Sequence, residues 1–234
     1  MNFLHLKQGL KTIFQSYEVF IIDLWGVIHD GIILYDSSIE VLENLSKHNK
    51  EFFLVSNAPR PKESVSKFLK KLHMDTKYFK HIYTSGDAAL EALKLKRFGN
   101  KFFHIGPPRD FDLFLKFNKD KVTNIEKSEY ILCTGLFENY EDDLDYYKLF
   151  LKKYIDKKMV CTNPDLVVHR GDHEEYCAGA VAEVFENMGG KVIYYGKPYP
   201  EIYNNCVKKN KKVLAIGDNL NTDIKGANLL NYDS

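Results

Sequence analysis

The 234-residue chain lacks the features that mark several protein classes. Its four cysteines are dispersed and form no CxxC pair, which argues against a zinc site or a disulfide scaffold and favours reduced, buried thiols. A long apolar run is also missing, because the most apolar stretch, residues 19–35, is broken by Asp23 and Asp30. We therefore expect a cytoplasmic protein without a membrane partner.

An excess of charge of one sign is missing as well. The chain has 33 Lys and Arg against 32 Asp and Glu, and its basic residues are scattered, so no nucleic-acid partner is expected. Arginine is scarce, and its four positions merit individual attention because the guanidinium is a planar anion clamp: Arg60, Arg97, Arg109 and Arg170. The length predicts one core domain with a smaller insertion.

Short apolar runs alternate with segments of helical period, a pattern typical of an α/β protein with a parallel sheet. The runs at residues 19–22, 52–55 and 213–216 predict strands of one sheet. Further alternation between residues 85 and 189 predicts a second, smaller α/β unit.

Polar residues follow three of these runs directly: Asp23, Ser56 and Asp218. Ligands of open parallel sheets bind outside the carboxyl ends of the strands, so these side chains, with Lys197 nearby, predict a site at one rim. Two carboxylates brought together favour a cation, and oxygen ligands suit Mg²⁺. Each residue alone also has an ordinary interpretation as a turn residue, a helix cap or a surface lysine.

Four segments resemble, in order and spacing, the motifs of the haloacid dehalogenase (HAD) superfamily. They are Asp-Leu-Trp-Gly-Val at 23–27, Ser-Asn at 56–57, Gly-Lys-Pro at 196–198 and Gly-Asp-Asn-x-x-Thr-Asp at 217–223. The long insert, with Thr-Asn-Pro-Asp at 162–165, resembles the cap of the NagD-like class IIA branch.

The resemblance implies a Rossmannoid α/β core, with a parallel sheet flanked by helices, and an inserted α/β cap domain. We expect the core to comprise residues 1–84 and 190–234 and the cap to comprise residues 85–189. Proteins of this family usually continue past the last helix into at least one more strand, whereas this sequence stops at Ser234. We therefore expect a core that is truncated at its C-terminal edge.

The resemblance also assigns catalytic and metal-binding roles. Asp23 would be the nucleophile that takes up a phosphoryl group, and Asp23, Asp218 and the backbone carbonyl of Trp25 would hold Mg²⁺. Ser56 would hydrogen-bond the phosphoryl group, and Lys197 would balance its negative charge.

Supporting roles fall to residues around this centre. Asp223 would orient Lys197 or a metal-bound water. Four residues are expected to bind substrate: Asn57, Arg60, Asn163 and Asp165.

One departure concerns Trp25, which stands where the phosphatases of the family usually carry a second aspartate that protonates the leaving group. An indole cannot act as that acid, so leaving groups that need no proton should be favoured. His29 or Asp30 could donate the proton instead.

The sequence thus predicts a magnesium-dependent phosphatase acting on small phosphorylated metabolites. The alternative, suggested by Trp25, is a catalytically weakened protein that binds phosphorylated ligands or other proteins. The sequence fixes neither the substrate nor the oligomeric state, for which a homodimer is one expectation.

Overall fold

Two parallel sheets organise the chain in the computed structural model, which describes residues 9–203, 206–207 and 211–234. The first sheet has the order β11-β1-β2-β3 and all of its pairs are parallel. Its strands are β1 (Val19–Asp23), β2 (Glu51–Ser56), β3 (Ile82–Thr84) and β11 (Val213–Ile216). Strand β1 is buried along its whole length because neighbours and covering layers enclose both of its faces.

The second sheet has the order β10-β7-β6-β4-β5 and is also parallel. Its strands are β4 (Phe102–Ile105), β5 (Lys121–Val122), β6 (Tyr130–Cys133), β7 (Lys158–Cys161) and β10 (Lys191–Tyr194). The remaining strands, β8 (Val167–Arg170) and β9 (His173–Tyr176), form an antiparallel hairpin.

Helices flank both sheets: α1 (Asp36–Lys47), α2 (Lys62–Lys71), α3 (Ser85–Lys94), α4 (Leu144–Leu151), α5 (Ala178–Asn187) and α6 (Lys225–Leu229). Alternate residues of β1 enter different core clusters: Phe20 and Ile22 pack in one, Val19 and Ile21 in the other. This division is what the two-residue period of a strand produces when helices cover both faces. The predicted α/β class with parallel sheets is confirmed.

Strand β10 bears on the division into domains. Residues 190–234 were expected to belong to the core, but β10 pairs with β7 of the second sheet. We therefore propose that the chain returns to the core after Tyr194 rather than at residue 190. The apolar run at 192–195 could not reveal this, because its composition fits a strand of either sheet.

The segment beyond α6 runs back along β11. Asp233 pairs with Leu214, and the Asp233 carbonyl accepts a hydrogen bond from the amide of Ala215 at 2.8 Å. The edge of β11 thus has a backbone partner at these positions.

All four cysteines are buried and free, as expected. Within the described part of the chain, no helix is both long enough and apolar enough to cross a bilayer.

Candidate active site

Three segments bring polar side chains to the carboxyl edge of the first sheet. Strand β1 ends at Asp23, β2 ends at Ser56, and Asp218 lies two residues beyond β11. The strands are parallel, and Ile22 of β1 pairs with Ile216 of β11, so all three residues reach the same rim. Asp23 and Ser56 are each only 7% exposed.

Lys197 joins this rim from the loop that follows β10. Its ammonium group is 3% exposed and donates to a carboxylate oxygen of Asp23 and, at 2.6 Å, to Oδ1 of Asp223. Burial alone would lower the pKa of Lys197, but the charges of Asp23, Asp223 and Asp165 outweigh burial and raise it. The lysine therefore stays protonated and offsets the negative charge that converges here.

Three carboxylates form a cluster that suits a hard cation. One oxygen each from Asp23, Asp218 and Asp223 lies within 4.8 Å of the others. Burial, and after it the charge of Asp223, raise the pKa of Asp218. An all-oxygen donor set of this kind fits Mg²⁺. Asp223, expected to play a supporting role, contributes an oxygen to the same cluster.

The loop after Asp23 can approach Asp218 only because of a glycine. Gly26 has φ +83°, and a Cβ on it would overlap the carboxylate of Asp218. The turn is closed by the amide of Gly26, which donates to the carbonyl of His29 at 2.8 Å. A side chain at this position would both strain the backbone and displace a cluster carboxylate.

Asn57 connects the two halves of the site. Its side-chain oxygen accepts from the amide of Lys197 at 2.7 Å, and its Nδ2 donates to the Lys197 carbonyl and to Oδ1 of Asp165, each at 3.1 Å. Asp165 is in turn fixed by its amide, which donates to the side chain of Asn163 at 3.1 Å. Burial raises the pKa of Asp165 to about 6. These contacts connect residues 163–165 of the second unit to the carboxyl edge of the first sheet.

Trp25 points away from the carboxylates and into the hairpin. Its indole N–H donates to the carbonyl of His169 at 2.6 Å, and the guanidinium of Arg170 lies 5.5 Å from the ring centroid. The ring of His29 packs edge-on at 5.1 Å. The indole therefore joins the loop after β1 to strand β8 and offers no proton to a leaving group.

The structure argues against both substitutes for the missing acid. Nδ1 of His29 accepts from the amide of Gly31 at 3.0 Å, and burial lowers the pKa of this histidine to about 4, so the ring is neutral at pH 7. Oδ1 of Asp30 accepts from the amides of Ile32 and Ile33 at 2.8 Å each, and these bonds lower the pKa of Asp30. Asp30 is therefore ionised and closes a turn.

A cavity of about 1120 Å³ opens on this rim. Every candidate site residue identified from the sequence lines it: Asp23, Trp25, Ser56, Asn57, Arg60, Asn163, Asp165, Lys197, Asp218 and Asp223. The sequence reasoning did not predict the contribution of the β8–β9 hairpin, which brings His169 and His173 to the cavity. It singled out Arg109 only as one of four arginines and did not include Asp110, and both residues line the cavity.

Comparison with known proteins places this geometry in a family. Residues 20–118 match the model of the haloacid dehalogenase-like hydrolases, and residues 194–234 match a second HAD-hydrolase-like model. The chain belongs to the haloacid dehalogenase-like hydrolases. The two matched segments of this HAD hydrolase carry Asp23, Ser56, Lys197 and Asp218.

Individual relatives agree over nearly the whole chain. A HAD-like hydrolase of Brucella suis 1330 has 27% identity and a TM-score of 0.89, covering 97% of this chain and 88% of its own. A solved structure assigned as a NagD protein has 24% identity and a TM-score of 0.71, covering 93% and 87%. Phosphoglycolate phosphatase 2 of Arabidopsis thaliana is 23% identical over 93% of this chain and 81% of its own length. The predicted HAD hydrolase is thus confirmed, and its fold matches that of a NagD-like structure.

Proposed function

We propose that this HAD hydrolase is a magnesium-dependent phosphatase of small phosphorylated metabolites and that Asp23 is its nucleophile. One observation carries the proposal: the Asp23 carboxylate sits at the end of β1, bonded to a buried lysine and inside a cluster of three carboxylates. A protein that only binds a ligand has no need of this arrangement. The phosphatase among the relatives supports the same activity.

In the first step, an oxygen of Asp23 attacks phosphorus while the bond to the leaving-group oxygen breaks. The products are an aspartyl-phosphate and the leaving group as its alkoxide, phenolate or carboxylate anion, and an alkoxide or phenolate then takes a proton from water. Lys197 already bonds Asp23 and offsets negative charge as the phosphoryl group arrives, and Ser56 lies at the neighbouring strand end to donate to a phosphoryl oxygen.

In the second step, water attacks the phosphorus of the aspartyl-phosphate and releases inorganic phosphate. The electron pair of the broken bond returns to Asp23, which is restored as a carboxylate. Its bond to Lys197 favours this ionised form. Splitting one displacement into two in this way lowers the barrier of each.

Mg²⁺ would be held by Asp23, Asp218 and the Trp25 carbonyl, with Asp223 in the same cluster. When bound, the ion neutralises charge on the transferring phosphoryl oxygens. Asn57, Arg60, Asn163 and Asp165 are the proposed substrate contacts.

The leaving group receives no proton from Trp25, so it departs most readily when it is already a stable anion. The absence of an acid at position 25 was the reason for the alternative prediction of a catalytically weakened protein that binds phosphorylated ligands or other proteins. The assembled nucleophile, lysine and carboxylate cluster favour an enzyme of restricted substrate range instead.

The test is a phosphatase panel containing acetyl phosphate and para-nitrophenyl phosphate, run with and without Mg²⁺. We expect turnover that requires Mg²⁺ and disappears in Asp23→Asn, which keeps the size of the side chain but removes the nucleophile. Turnover that survives this substitution, or tight phosphate binding with no turnover, would refute the proposal.

A further inference from the structure

The arginines of this chain are concentrated in one place. Of its four arginines, three line the active-site cavity: Arg60, Arg109 and Arg170. Lysine is far more common in the sequence, yet within the described residues Lys197 alone lines the same cavity. Because the guanidinium presents a planar fork that matches carboxylate and phosphate oxygens, this distribution points to anion recognition in addition to the contacts of Lys197.

The Arg170 side chain already has partners within the protein. Its Nε donates to Oε1 of Glu175 at 3.0 Å, and its guanidinium lies over the ring of Trp25. It therefore holds the hairpin together, which leaves Arg60 and Arg109 for a ligand.

Arg60 and Arg109 share one buried carboxylate. Nε of Arg60 lies 3.7 Å from Oδ1 of Asp110, which is 3% exposed, and the charges of both arginines act on this carboxyl group. Thr134 hydrogen-bonds Asp110 and also contacts Nε2 of His104 at 2.8 Å. Two guanidinium groups therefore lie near one buried carboxylate, and Glu141 and Asp142 also line the cavity. Anion binding is inferred from the two guanidinium groups and not from the net charge of the lining.

The loop that carries Arg60 is held in place. The Ala58 carbonyl accepts from the amide of Gly86 at 3.1 Å and from Oγ of Ser85 at 2.8 Å. A Cβ on Gly86 would overlap the carbonyl of Arg60, so the loop packs against the start of α3 with no spare room. Arg60 follows Ser56 by four residues, which keeps its Cα within roughly 14 Å of the Cα of Ser56. The Arg60 side chain and a small leaving group can together span that interval.

We propose that Arg60 and Arg109 form a second anion subsite, which binds a carboxylate or phosphate on the leaving group, and that Asp110 is the residue that positions Arg60. The inference rests on the proposed function and narrows it: the preferred substrates are phosphate esters whose leaving group carries its own negative charge.

The test compares two aryl phosphates of equal size, one with a para-carboxylate and one with a para-carboxamide. We expect kcat/KM to favour the carboxylate by about 10- to 100-fold, the range that charged hydrogen bonds provide. Arg60→Met and Arg109→Met should each bring the ratio of kcat/KM for the carboxylate ester to kcat/KM for the carboxamide ester close to one, whatever their effect on turnover itself. Asp110→Asn should raise KM for the carboxylate ester more than KM for the carboxamide ester. Arg97→Met is the matched control, because Arg97 is exposed and does not line the cavity.

Additional substrates and a binding measurement distinguish failure of the anion subsite from failure of the phosphatase activity. A para-phosphonate ester tells whether the subsite prefers phosphate oxygens to a carboxylate. If kcat/KM is equal for the carboxylate and carboxamide esters and does not change in the arginine variants, the anion subsite is refuted. The proposed phosphatase activity is not affected by that result. If neither ester is turned over, the phosphatase fails, and calorimetric binding of the same two esters decides the subsite: equal affinities overturn it.

Discussion

Changing the leaving group probes the position of Trp25 more directly than any other perturbation. An acid at this position would donate a proton as the phosphorus–oxygen bond breaks, and such donation typically contributes about 10²–10⁴-fold, or roughly 3–5 kcal/mol. The indole N–H is committed to the His169 carbonyl, His29 is neutral at pH 7, and Asp30 is held ionised by two amides. None of the three supplies the proton.

The assay is kcat/KM for a series of aryl phosphates of rising phenol pKa, extended to an alkyl phosphate. We expect a steep decline along the series, with the alkyl ester at least about 100-fold below the value that an acid-assisted enzyme would retain. Trp25→Asp should flatten this decline by restoring a proton donor, whereas Trp25→Asn should not. Both variants lose the contact with the hairpin equally, so the difference between them isolates the proton.

Two results would refute this reasoning. One is equal kcat/KM of the wild-type protein for alkyl and aryl phosphates. The other is identical dependence on the leaving group in Trp25→Asp and Trp25→Asn.

Three further outcomes are expected. Lys197→Met leaves buried carboxylates unpaired, so the free energy of unfolding in denaturant without Mg²⁺ should fall by about 3–5 kcal/mol, and an unchanged value would contradict the ion-pair geometry. Trp25→Phe removes the 2.6 Å bond to the hairpin, so amide exchange in residues 167–176 should quicken by about 2- to 12-fold, and unchanged exchange would show that the bond does not hold the hairpin. Burial raises the pKa of Asp110 from 3.8 to about 6, so the native state binds the extra proton and this group makes stability fall as pH rises from about 4 to about 6. Urea unfolding across that range should show Asp110→Asn gaining up to about 3 kcal/mol relative to the wild type, and a difference that does not vary with pH would contradict the assignment.

The group of polar residues at the carboxyl edge of the first sheet could be predicted from the sequence because these residues follow the strands directly. Strand order in a parallel sheet brings Asp23, Ser56 and Asp218 to one edge without any knowledge of side-chain packing. Lys197 arrives from a distant segment. The strand pattern placed it near this rim, and the resemblance to the family gave it a role beside Asp23.

The wall of the cavity was harder to predict. Hairpin residues such as His169 and His173 are polar and largely solvent-facing, so their strands carry no apolar alternation to reveal them. The pairing of Arg60 with Asp110 joins residues far apart in the sequence, and only the packing of the second unit against the first creates it. The pairing of β10 with β7 could not be predicted for a similar reason, because the residues of a strand do not identify the strand that it pairs with.

Trapping the covalent intermediate tests the central claim most directly. Borohydride added during turnover of acetyl phosphate reduces an aspartyl-phosphate to homoserine, which peptide mass spectrometry then locates. The account predicts homoserine at position 23, dependent on both Mg²⁺ and substrate and absent from Asp23→Asn. Modification at another aspartate, or none at Asp23 during rapid turnover, would contradict it.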